Sequence, residues 1–143
     1  MKNVLEPLVR TIKDYRSACM KIAEANIQFA QSFAPRLTNL TGIRKIYDIY
    51  VKFAKDSNFK EDGTDNNKQF LFLILYFYSP ASLCGGKINC ALRKTIAATL
   101  GISADTALYK MRAKSVSWYK IYPDFRRECN IAIEEIENHL EDL

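Results

Sequence analysis

Thr95-Ile96-Ala97-Ala98-Thr99-Leu100-Gly101-Ile102-Ser103-Ala104-Asp105-Thr106-Ala107-Leu108-Tyr109-Lys110-Met111-Arg112 reads as two short helices joined by a tight turn. Ile96, Ala97 and Leu100 share one helical face, and Leu92 extends it by a turn. Ala97 is small where two helices would cross closely. Gly101 follows Leu100, where a helix that stops and reverses needs a residue tolerant of positive φ. Ile102 is placed to drop into the crevice between the helices. Ser103 suits an N-cap, its hydroxyl accepting from the N–H of Asp105 or Thr106. The second helix is then expected over 104–114, with Ala107 and Met111 inward and Ala104, Asp105, Leu108, Tyr109 and Arg112 outward.

In the form Ile-Ala-x-x-Leu-Gly-Ile-Ser-x-x-Thr, residues 88–114 resemble the helix-turn-helix of bacterial and phage DNA-binding proteins. The resemblance implies that the 104–112 helix enters a major groove of double-stranded DNA. Arg93, Lys94, Lys110, Arg112 and Lys114 would then hold phosphates. Asp105 and Tyr109 would contact bases or the groove edge, and Ser103 and Thr106 complete the expected DNA-binding set. The alternative is a plain turn between two helices of a bundle that serves protein assembly.

Charge follows the same stretch. The chain carries +5 overall, unevenly distributed. Residues 68–127 hold ten basic side chains, from Lys68 to Arg127, against Asp105 and Asp124. Residues 128–143 hold six acids and no Lys or Arg. A cationic block on the two helices suits phosphate neutralisation, in which each contact releases condensed counterions. The acidic end shields that block, pairs with a neighbour, or solubilises.

Working outward, the whole chain reads as all-α, because alternating polar and apolar runs bounded by hairpin turns are lacking. Residues 1–55 form an N-terminal helical arm, a coiled coil or helical hairpin. Leu5, Leu8, Ile12, Tyr15, Cys19, Ile22, Asn26, Phe29 and Phe33 recur in it at spacings of three and four. Leu8, Ile12, Tyr15, Ile22, Asn26 and Phe29 are the candidate oligomerisation residues, and a homo-oligomer is expected. The stripe could equally pack on a second helix at 43–55 within one chain. Residues 56–67 read as a polar hinge, and 68–143 as the helix-turn-helix bundle. In that bundle, 68–78 is a buried central helix, and further helices occupy 88–100, 104–114, 115–122 and 124–141. Trp118, Tyr122 and Phe125 read as core, whereas Tyr109 and Tyr119, interleaved with cations, could stack on nucleic acid.

Other chemistry finds little support. Cys19, Cys84, Cys90 and Cys129 lack paired C-x-x-C spacing, and His139 is the sole histidine, so no metal site or cofactor is expected. P-loop, G-x-G-x-x-G and G-x-S-x-G frames are missing, so no enzymatic activity and no small-molecule substrate are expected. The most apolar run, Phe70–Tyr78, is about half the roughly 20 residues a bilayer crossing needs. The N-terminal segment lacks the apolar core of a signal peptide. A cytoplasmic protein is expected, virion-associated if phage-encoded. The functional expectation is a non-enzymatic DNA-binding protein, a transcriptional regulator. A phage or mobile-element packaging or assembly factor, similar to a small terminase subunit, is the alternative.

Overall fold

The computed structural model describes residues 34–59, 63–103 and 106–143. Its contacts divide the chain into two compact units, Met1–Ala34 and Pro35–Leu143. The stripe from Leu8 through Phe29 lies outside the described residues. The second unit is all-α, with no strand among the described residues.

Its helices are α1 (Gly42–Asp56), α2 (Gly63–Tyr78), α3 (Pro80–Leu83), α4 (Cys90–Leu100), α5 (Thr106–Ile121) and α6 (Pro123–Glu137), followed by a 3-10 turn at Leu140–Asp142. α2 is the central stave. Every residue from Lys68 to Leu75 is buried, as are Phe77 and Tyr78, so the helix is enclosed on all sides. The other five helices all pack on it. α1 contributes Ile43, Ile46, Tyr50 and Ala54 from one face. α6 contributes Phe125, Cys129, Ala132, Ile133 and Ile136.

The polar segment 56–67 is not the boundary its composition suggested. α1 lies before it yet shares one core with the helices after it. Phe59 is buried inside that segment, edge-on to Phe53 at 5.7 Å, with its N–H on the Ala54 carbonyl. α2 already begins at Gly63, and the Tyr50 hydroxyl reaches Asn66 Oδ1 at 3.4 Å. One aromatic anchor and one hydroxyl outweigh a run of polar residues.

The turn at Gly101 forms as expected. Asn89 opens α4, its Oδ1 accepting from the N–H of Ala91 at 2.9 Å. Gly101 closes α4 at φ 69° and ψ 34°, and the Ile102 N–H returns to the Ala97 carbonyl at 3.0 Å. That bond is the six-to-one closure of a Schellman motif, and Ile102 packs against the core behind it. A Cβ on Gly101 would meet no atom within 4 Å, so only backbone strain opposes a side chain there. Gly101→Ala is therefore expected to cost about 1 kcal/mol in urea unfolding. A cost indistinguishable from zero would contradict the left-handed cap.

The sequence divides 104–122 into two helices; the structure joins them as α5, which starts at Thr106. Ser115 sits at the expected break and is accommodated within the helix. Its buried hydroxyl lies 2.9 Å from both the Met111 carbonyl one turn back and the Lys68 carbonyl of α2. The chain breaks only at Pro123, which opens α6. Arg126 then donates to the carbonyls of Tyr119 at 2.9 Å and Lys120 at 2.7 Å, satisfying the end of α5. α6 is shorter than the 124–141 expected, ending at Glu137.

Candidate nucleic-acid interface

α5 is turned on its axis relative to the sequence expectation. Leu108 is fully buried and Ala107 is exposed, with Ser115 two turns on also buried. The larger apolar side chain takes the core position, because burying Leu removes more apolar surface from water than burying Ala. Leu108 is therefore not on the outer face. Thr106, Lys110, Ala113, Lys114, Ser117 and Lys120 are. Thr106, Lys110 and Ala113, with the edge of Tyr109, line a shallow surface concavity.

Of the expected DNA-contact residues, Lys94, Ser103, Thr106, Lys110 and Lys114 are exposed, whereas Arg93, Tyr109 and Arg112 are half-buried. Asp105 lies outside the described residues. The half-buried three hold the two helices and the preceding loop together. Arg93 Nη1 donates to the Tyr109 hydroxyl at 3.4 Å. The Arg112 guanidinium lies 4.9 Å from the Tyr109 ring centroid, and its Nη1 donates to the Gly86 carbonyl. Gly86 is fixed in turn: its N–H bonds the Ala81 carbonyl at 3.0 Å, and a Cβ would come within 2.9 Å of that oxygen. Periodicity could not reveal this cluster, since its members come from three segments.

The same contacts act on the Tyr109 hydroxyl. Arg93's hydrogen bond is the main cause that holds it below the ordinary tyrosine value of 10.0, and the charges of Arg93 and Arg112 act in the same sense. Tyr78 behaves oppositely: burial raises it, and its hydroxyl donates to the Asn39 carbonyl at 2.7 Å. Among the eight tyrosines, Tyr109→Phe should remove an early part of the tyrosinate absorbance rise and Tyr78→Phe a late part. The stability signs follow. Tyr109 adds stability above the ordinary tyrosine range and loses it as pH falls through its depressed value. Tyr78 contributes below that range and loses its contribution as pH rises through its elevated value. A Tyr109→Phe curve superimposed on the parent would contradict the Arg93 contact.

Not every cation of the 68–127 block faces solvent. Lys68 is buried, its Nζ 4.0 Å from the Trp118 ring centroid. Tyr119 is also committed internally, stacked on Phe72 at 4.4 Å with its hydroxyl on Asn130. Tyr122, read as core, is instead 51 % exposed at the α5–α6 corner. What remains outside is Lys87, Lys94, Lys110, Lys114, Lys120 and Arg127, and the sequence from Ser79 to Ile121 holds a single acid, Asp105. The acidic end makes contacts of its own: Glu137 pairs with Arg36 at 2.9 Å, Glu135 meets His139 at 3.2 Å, and Glu128 accepts from Gln69 at 2.7 Å.

The cysteines differ in access. Cys90 is exposed at the start of α4. Cys129 is enclosed in the core, where burial, with Glu128 adding to it, pushes its thiol far up. A thiol reagent should therefore label Cys90 in the folded chain and Cys129 only on unfolding. Among the described residues, no three His, Cys, Asp or Glu side chains converge as a metal site. No helix among them is long and apolar enough to cross a membrane. No protein-family profile, curated protein sequence or solved structure matches the chain.

Proposed function

We propose that this chain is a non-enzymatic protein that binds double-stranded DNA through the outer face of α5. A transcriptional regulator is the plainest role for it. The observation that supports this best is the alignment of Lys110, Lys114 and Lys120 on one exposed helix face, free of acids and interleaved with Thr106, Ala113 and Ser117. Short side chains between lysines let a phosphate backbone approach closely, and each neutralised phosphate releases counterions. Lys94 and Lys87, on α4 and the loop before it, add charge from neighbouring segments. Arg93, Tyr109 and Arg112 brace the two helices rather than reach outward. The contacts that remain are therefore weighted toward phosphates over base edges.

Binding of unrelated duplexes across a salt series tests this. A log–log slope of several units is expected, with little dependence on sequence. An absence of complex at low salt would favour the assembly factor, in which the helical unit serves protein contacts. Self-association through the Leu8–Phe29 stripe belongs to the same proposal. Light scattering of the full chain and of an Ile12→Lys/Ile22→Lys variant checks it, the variant being expected to lose mass. A parent that is already monomeric would remove oligomerisation from the proposal.

A further inference from the structure

Residues 86–89 lead from the turn after α3 into α4 and belong to neither helix, so Lys87 is not oriented by a helical backbone. Its two neighbours are nevertheless fixed. Gly86 donates its N–H to the Ala81 carbonyl at 3.0 Å, and an added Cβ would come within 2.9 Å of that oxygen. Ile88 is buried in the main core cluster. Lys87, between them, is exposed.

α5 supplies the rest of the hold. On one side of Lys87, the Gly86 carbonyl accepts from Arg112 Nη1. On the other side, the Tyr109 hydroxyl is acted on most strongly by Arg93 and also accepts from the Ile88 N–H. The Arg112 guanidinium lies 4.9 Å from the Tyr109 ring centroid and that of Arg93 5.8 Å, so both steady the phenol. Tyr109 and Arg112 are three residues apart and therefore neighbours on the helix surface. The residues they hold flank Lys87, so the segment 86–88 runs alongside the first two turns of α5. Tyr109 also edges the concavity it shares with Thr106, Lys110 and Ala113. Lys87 thus borders the exposed face that carries Lys110.

A lysine on an unheld loop has to be ordered when it meets a phosphate, and the backbone freedom lost offsets much of the contact. Here that ordering is complete once the chain has folded. Arg112 directs one nitrogen at a carbonyl and its plane at a ring, so its planar fork serves the fold rather than a phosphate. Resting on the duplex-binding reading above, we propose that Arg112 and Tyr109 are positioning residues of that surface. They clamp Gly86 and Ile88 to α5 and so present Lys87 to the same phosphate backbone that Lys110 and Lys114 meet.

A double-mutant cycle in the full-length protein tests this, read by anisotropy of a labelled duplex across a salt series. Lys87→Ala should weaken binding several-fold at low salt and lower the log–log slope by about one. In an Arg112→Ala background, and again in Tyr109→Phe, the same lysine substitution should change affinity by less than about twofold, because the segment is already released. Gly86→Ala alters no charge and no residue of α5, yet it should also weaken binding, since the added Cβ pushes the segment off the Ala81 carbonyl. Where Arg112→Ala fails to fold by circular dichroism, Tyr109→Phe and Gly86→Ala decide. Losses from Lys87→Ala and Arg112→Ala that simply add, with the slope falling by about two in the pair, would make Arg112 a direct phosphate contact and overturn the proposal. Parental affinity in Lys87→Ala or in Gly86→Ala would overturn it as well. A parent that binds no duplex removes the proposed function and this role together, whereas binding with additive losses removes the role alone.

Discussion

Leu108→Ala is expected to destabilise the Pro35–Leu143 unit by about 2–5 kcal/mol, the range for deleting a fully buried leucine. Leu108 has no solvent exposure and belongs to the main core cluster, where α5 packs on α2. Denaturant unfolding followed by far-UV circular dichroism measures the effect. The result decides the rotation of α5. Were Ala107 and Met111 the inward pair instead, Leu108 would be a surface residue and its truncation would change stability by about 0.5 kcal/mol or less. Ala107→Lys is the matching control: exposed in the structure, it should be nearly silent.

Reversing two charges on the outer face is expected to have the larger functional effect. On the proposed reading, Lys110→Glu/Lys114→Glu removes two phosphate contacts and adds two repulsions. It should lower duplex affinity by about 100-fold or more at low salt and reduce the salt slope by about two. Fluorescence anisotropy with a labelled duplex reads both quantities. Melting should be unaffected, because both lysines are exposed. Arg112→Glu is less selective. Its guanidinium bonds the Gly86 carbonyl and covers the Tyr109 ring, so reversal there loosens the joint between the loop and α5 as well as removing charge. Unchanged affinity in the double lysine variant would remove this face from the proposed function.

Much of the fold follows from local pattern alone. The stop at Gly101, the proline at 123 and the apolar run through Phe70–Tyr78 are short-range signals, and short-range physics sets them. What local pattern missed depended on partners distant in sequence. The facing of α5 is decided where Leu108 and Ser115 meet α2, and Ser115 is held by a carbonyl 47 residues away. Phe59 looks stranded in a polar segment until Phe53 is placed against it. Charge counting likewise treated ten cations alike. Lys68 lies over an indole, and Arg93 and Arg112 flank a phenol, so the number available to an anionic partner is smaller than composition implies. Lys94, Lys110 and Lys114 are exposed, yet helical spacing alone set Leu108, Tyr109 and Arg112 outward, so the face that carries Lys110 and Lys114 was not legible locally.

Because α5 is unbroken from Thr106 to Ile121, its two ends cannot tilt independently. Lys110 and Trp118 are about 12 Å apart along this rod, at 1.5 Å per residue. A tilt of the helix at one end therefore carries to the other. Any coupling between occupants of the two ends would be reciprocal, each changing the other's affinity by one common factor.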